Sequence, residues 1–317
     1  MGVRRFIDDN YHHFNAGALA DCVKSLEDFL NSGGKIILAL AGAMSTAEIG
    51  RTLGPAIKAG LIHGISCTGA NLEEDLFHLV ARNKYKKIDW RNISADDDLK
   101  LQKSGFNRVT DVCIPENEAI RYVENILVNI WLNAQENGDS RAPHEFLFDV
   151  IDSGDVEFQG EEENCWLIAA KEMEIPIFTP GWADSTLGNI FSARLIDGTI
   201  NNDRIINTDL QQMKKLAEWY RRQDGPVGLL QVGGGISGDF PICVVPMLRQ
   251  DLGEDVELWG WFSQISDSRP SYGGYSGAPP NEKISWEKLG VDTPKFVIES
   301  DATIVLPLML SYLLEGR

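Results

Sequence analysis

The stretch Gly33-Gly34-Lys35-Ile36-Ile37-Leu38-Ala39-Leu40-Ala41-Gly42-Ala43 decides the fold. Apolar residues run without interruption from Ile36 to Leu40 between a glycine pair and a small-residue turn, which is the signature of a buried strand. Ahead of it, Leu19, Val23, Leu26 and Leu30 recur at helical spacing, so Gly17 to Asn31 reads as an amphipathic helix that the glycine pair ends. Behind it, a helix leads to a second strand, Ile62 to Ser66, and the turn Cys67-Thr68-Gly69-Ala70. The pattern returns at Pro176-Ile177-Phe178 before Thr179-Pro180-Gly181, and at Val227 to Val232 before Gly233-Gly234-Gly235. Strands that alternate with helices and end in glycine-bearing turns predict an α/β fold, a parallel sheet covered by helices on both faces. Ligands of such sheets bind outside the carboxyl ends of the strands.

Around this core the chain of 317 residues reads as a single domain, residues 1–317, because no Pro/Ser/Gly linker and no fixed-period repeat divides it. The polar segment Gln135 to Asn164 reads as a surface insertion, with Glu161-Glu162-Glu163 as a solvated helix start. Hydrophobic residues at 43% and charged residues at 24% exclude disordered, collagen-like and coiled-coil chains. A formal charge of −18 repels phosphate backbones and anionic lipid and attracts cations, so nucleic acid is not an expected partner. The longest apolar stretch, Thr303 to Leu314, is about half of what spans a bilayer and contains Pro307. The opening MGVRRFIDDNYHHFN lacks the apolar core of a signal peptide, and the expected location is cytoplasmic. Five cysteines, odd in number and without a CxxC, read as reduced core residues rather than a disulfide framework or zinc site.

Four features carry possible chemistry. The glycines 233 to 235 after a strand would let backbone amides approach a phosphate, although the GxGxxG spacing is absent and a plain tight turn fits equally well. Glu73-Glu74-Asp75 follows the turn at Thr68; one or two of these acids suit the N-terminal end of their own helix, and another suits a cation in a cleft. Lys288 sits two residues from Trp286, and a lysine packed on an aromatic wall becomes a nucleophile for imines and carbonyls. His12-His13 reads as a helix-end pair, and His78 lies four residues past Glu74 without further ligands in view, so no metal is assigned.

Taken together these blocks resemble the deoxyhypusine synthase family, more closely its bacterial deoxyhypusine synthase-like branch. The resemblance runs through Tyr11-His12-His13-Phe14-Asn15-Ala16, Thr68 with Glu73-Glu74-Asp75-Leu76, Ile175 to Phe178 with Asp184 and Leu187-Gly188, Gly233-Gly234-Gly235, Ser276-Gly277-Ala278, and Ser285-Trp286 with Lys288. It implies a Rossmann-like core and a homotetramer with NAD and active sites near subunit interfaces. In that family NAD oxidises spermidine, an enzyme lysine captures the aminobutyl group as an imine, and an acceptor amine displaces it. Lys288 matches that lysine, Trp286 the aromatic wall beside the polyamine, and Glu74 and Glu282 match carboxylates near the substrate amines. Thr68, Asp184, Gly233, Gly234 and Ser276 match positions that contact NAD.

The departures bear on substrate choice. Asn189 stands where the family has an aspartate, and Asp239 where its substrate histidine stands. Tyr272-Gly273-Gly274-Tyr275 replaces an aspartate-rich stretch of the eukaryotic enzymes, and Gly42 to Thr46 replaces a serine and asparagine run. The expected activity is therefore aminobutyl transfer to an acceptor amine, a small diamine such as putrescine ahead of a protein lysine. A non-catalytic polyamine- or NAD-binding relative is the alternative, and the joint retention of Lys288, Trp286 and Glu74 counts against it.

Overall fold

The computed structural model describes residues 1–317. Its strands are β1 Lys35–Leu40, β2 Gly64–Cys67, β3 Lys86–Lys87, β4 Phe106–Val109, β5 Val112–Pro115, β6 Ile177–Phe178, β7 Val227–Val232, β8 Trp261–Ile265 and β9 Lys295–Ile298. Six form a parallel sheet in the order β6-β2-β1-β7-β8-β9, and β3-β5-β4 form a small antiparallel sheet. The α/β class is as the alternating pattern predicts. Along β1, Ile36, Leu38 and Leu40 enter one apolar core while Ile37 and Ala39 enter a second, smaller one on the opposite face. A strand covered on both faces has no position for a polar side chain, which is why its sequence is uninterrupted.

The order has a consequence for ligand binding. From β1 the chain winds outward through β2 to β6, then returns to the other side of β1 with β7 and winds outward through β8 and β9. Loops after β1 and β7 therefore part in opposite directions, opening the crevice that doubly wound sheets use for ligands. Leu40 pairs with both Cys67 and Val232, Val232 with Ile265, and Ile265 with Ile298. The carboxyl ends are level, so their loops share one edge.

Four differences from the sequence expectation have physical reasons. The second strand begins at Gly64, two residues later than expected, and runs on through Cys67. β8 and β9 are absent from the expectation because buried Ser263 and Gln264 interrupt the apolar run of β8, and β9 at the sheet edge is half exposed. The β3-β5-β4 sheet is built from polar stretches that carry little period. Finally, 135–164 is no irregular surface insertion: it holds the helix Pro143–Asp152, which buries Phe146, Leu147 and Val150. Its start signals were present, with Pro143 in the first turn and Glu145 accepting the Ala142 N–H at 2.6 Å. No helix is long and apolar enough to cross a membrane.

Candidate active site

At the level edge, Asn71 organises the turn after β1. Its Nδ2 donates to the carbonyls of Leu40, Ala41 and Gly42 at 3.1, 3.0 and 2.9 Å, and its Oδ1 accepts the Ser45 N–H at 2.9 Å. Thr68 caps the helix Gly69–Ala81 and donates its hydroxyl to the Gly42 carbonyl at 2.7 Å, tying the first two turns together. Across the crevice, a Cβ at Gly233 would meet Ala41 at 2.9 Å and one at Gly234 would meet the Ser276 hydroxyl at 1.8 Å. The glycines that open onto free space are Gly42 and Gly235, with φ of +60° and +64° and nothing within 4 Å of an added Cβ. The close approach at Gly234 is thus by Ser276, whose Oγ accepts the Gly235 N–H at 3.1 Å. The exposed Asp184 follows β6 at the same edge. Open backbone on both lips of the crevice, with a free carboxylate able to accept from ribose hydroxyls, fits a dinucleotide.

Beyond Gly235 lies a second assembly. The one-turn helix Pro280–Ile284 ends with Glu287 in the left-handed region at φ 53°; the Glu287 N–H donates to Ile284 at 3.0 Å and the Lys288 N–H to Lys283 at 3.1 Å. That closure, with the Lys288 carbonyl accepting from Trp259 at 3.1 Å, turns the Lys288 side chain inward, where it is 8% exposed. Its Nζ lies 3.5 Å from Asp239 Oδ1 and 5.8 Å from the ring centroids of Tyr275 and Trp286. Asp239, Tyr275, Glu282, Lys283, Trp286 and Lys288 line a cavity of about 560 Å³. A neighbouring hollow of about 480 Å³ shares Asp239, Cys243 and Tyr275 with it and reaches Gly235, joining the lysine to the crevice.

The structure therefore gathers Lys288, Trp286, Glu282 and Asp239, and separately Thr68, Asp184, Gly233, Gly234 and Ser276 along the strand ends. The Trp286 wall is incomplete, the residue being 59% exposed. Asn189 lies outside the lysine cavity, its Nδ2 donating to the carbonyls of Ala183 and Ser185 at 3.0 and 2.7 Å as a brace for the Asp184 loop. Glu74 also lies outside it, buried in the helix Gly69–Ala81.

The three acids do not serve their own helix. Glu73 accepts the Thr186 and Leu187 N–H groups at 2.8 and 2.7 Å, at the start of the helix Thr186–Ile196. Asp75 accepts the Leu167 N–H and the Cys165 thiol, both at 3.0 Å. Glu73 and Asp75 each meet the positive end of another helix, a pairing between elements that spacing within one helix cannot reveal. Glu74 has an oxygen with no partner, and burial, reinforced by Glu73, pushes its pKa up to about 8.

Sequence reasoning missed Lys283, Cys243 and Asn71 as site residues. Cys243 donates its thiol to Asp239 at 3.6 Å, and burial raises its pKa. The available signal was its spacing, four residues after Asp239 along one helical face.

Comparisons with known proteins bear on the family and the fold. A family model described as "DS: Deoxyhypusine synthase" matches residues 9–313. A deoxyhypusine synthase-like protein of Nostoc punctiforme is 30% identical over 328 residues, covering 99% of this chain and 80% of that protein. A provisionally named deoxyhypusine synthase of Archaeoglobus fulgidus is 30% identical over 307 residues, covering 95% and 90%. Among solved structures, a provisionally assigned deoxyhypusine synthase of Entamoeba histolytica superposes with a TM-score of 0.56 at 13% identity, covering 98% of this chain and 92% of that one, a likeness of fold.

Proposed function

The chain belongs to the deoxyhypusine synthase family, a family of transferases, and from that premise we propose that it moves an aminobutyl group from spermidine or a related polyamine to a small acceptor amine of the putrescine type. A protein lysine is the less favoured acceptor. The observation that carries this reading is the buried Lys288 amine, 3.5 Å from Asp239 in a cavity large enough for a polyamine and lined by further acids.

NAD, held across Gly42 and Gly235 with Thr68 and Asp184 at its sides, would supply the hydride acceptor and donor that make the transfer redox-neutral. The protein's own residues do the rest. Asp239 takes a proton from the Lys288 ammonium, and the freed amine adds to the aminobutyl carbon after that carbon has been oxidised to the C=N level, while the diaminopropane nitrogen leaves as an amine with a proton. The result is an imine on Lys288. Glu282 and the acidic surface around it hold the terminal ammonium, and Trp286 and Tyr275 offer their ring faces to the cationic chain. An acceptor amine then displaces Lys288, which recovers its proton through Asp239. We infer a homotetramer with these sites at subunit interfaces, where a neighbouring chain would cover Trp286.

A ligand-binding relative without catalysis would have no need of a nucleophile in this place. Borohydride trapping separates the two readings. With spermidine and NAD the wild type acquires a stable adduct on the peptide holding Lys288, and Lys288→Arg acquires none, since the guanidinium keeps the charge and cannot form the imine. Equal labelling of both proteins would remove Lys288 from the mechanism; spermidine binding without any adduct would favour the non-catalytic relative.

A further inference from the structure

One buried lysine of the cavity has no task in this mechanism. Lys283 is 3% exposed, and its Nζ donates to the Ala278 carbonyl at 3.1 Å and lies 5.1 Å from the ring centroids of both Phe262 and Tyr275. Lys283 and Lys288 are the two buried lysines of the chain, and of these only Lys288 has a carboxylate partner. An ammonium has three N–H donors, and one carbonyl with two ring faces satisfies it only in part. A buried cation without a counter-anion is unfavourable unless something supplies the charge. Burial, and behind it the Lys288 ammonium, outweigh the opposing pull of Glu282 and Asp239, neither of which forms an ion pair with Lys283, and bring the Lys283 pKa down to about 8, so it is still mainly charged at pH 7. On the same walls Glu282 and Asp251 are carboxylates free of any ion pair. The cavity thus presents an unpaired cation and unpaired anions together, a pattern suited to a zwitterion more than to a bare polycation.

We propose that Lys283 binds a carboxylate of the acceptor, so that the acceptor is a basic amino acid, a diamine bearing a carboxylate on the carbon beside one of its amines. This rests on the reading of the cavity as the amine site and narrows its acceptor. Glu282 and Asp251 take the ammonium groups while the remaining Lys283 donors close on the carboxylate.

L-ornithine and putrescine differ by that carboxylate alone, which makes them the probes. Calorimetry on the full-length wild type, Lys283→Met and Lys283→Arg measures both without requiring turnover. Wild type should bind ornithine more tightly than putrescine. Lys283→Met should weaken ornithine by about tenfold or more, the size of a lost charged hydrogen bond, and leave putrescine as tight or tighter. Lys283→Arg, which keeps the charge, should keep the ornithine preference. Tighter wild-type binding of putrescine, an ornithine affinity unchanged in Lys283→Met, or no ornithine binding would each overturn the proposal. If Lys283→Met does not fold, the wild-type comparison with Lys283→Arg decides. Borohydride trapping with spermidine reads Lys288 independently, so failure of the transfer mechanism and failure of the carboxylate site give different results.

Discussion

Glu74 sits where a carboxylate has nothing to hold it. It is 8% exposed, one oxygen has no donor, and its pKa is pushed up to about 8 by burial first and by Glu73 second. The folded chain therefore keeps a proton that the unfolded chain has released above about pH 4.3. Stability contributed by that proton is complete below the unfolded value and is lost as pH rises through about 8, a loss of a few kcal/mol at most. Asp75, raised to about 7 chiefly by burial, acts with the same sign. Urea unfolding midpoints should accordingly fall between pH 5 and pH 8.5, and Glu74→Gln, which carries no titrating proton, should flatten part of that decline. A glutamine variant whose pH profile overlays the wild type would mean that Glu74 is paired or hydrated, and would reopen its role as an amine ligand.

The loop that leads to Lys288 is held on the sheet edge by the side chains of Ser276 and Gln264 against backbone. Ser276 stands against Gly234, and the Gln264 side chain donates to the carbonyls of both Ser276 and Gly233. Gly234→Ala should therefore destabilise the fold by about 1–3 kcal/mol, because the new methyl group meets the Ser276 hydroxyl and Cβ. Removing the obstacle in Gly234→Ala with Ser276→Gly should recover part of that loss, and a double-mutant cycle in urea measures the coupling. Strictly additive effects would show that the loop does not rest on the glycine turn in solution. This packing also explains what the sequence could disclose. β1 is legible because both faces are buried and Ile36 to Leu40 run without a polar residue, and β7 because Gln231 enters only near its end, ahead of the glycine turn, whereas β8 hides behind Ser263 and Gln264. Lys288 and Trp286 are legible because they are adjacent in a recognisable block. Lys283 reads as one more surface lysine until Phe262 and Tyr275, from a strand and a separate loop, enclose it. The partner helices of Glu73 and Asp75 start more than ninety residues away in the chain, beyond the reach of periodicity.

A formal charge of −18 per chain attracts cations and at the same time makes copies of the chain repel one another. The proposed assembly would therefore rest on apolar contact, and the single chain leaves apolar surface where the site opens: Ile236, Tyr272 and Trp286 are all exposed. An indole 59% exposed cannot keep water from the amine beside it, so the proposed imine chemistry calls for a second copy over Trp286. Light scattering should give a mass that is a multiple of 35.2 kDa, and added salt should favour the assembled form by screening the like charges over a Debye length of about 10 Å at 0.1 M. Tyr272→Glu, which adds a charge to the exposed rim without entering the lysine cavity, should shift the mass downward and reduce trapping of the aminobutyl group together. If a monomer of 35.2 kDa traps the adduct fully at every concentration, each chain holds a complete site and the exposed tryptophan has another use.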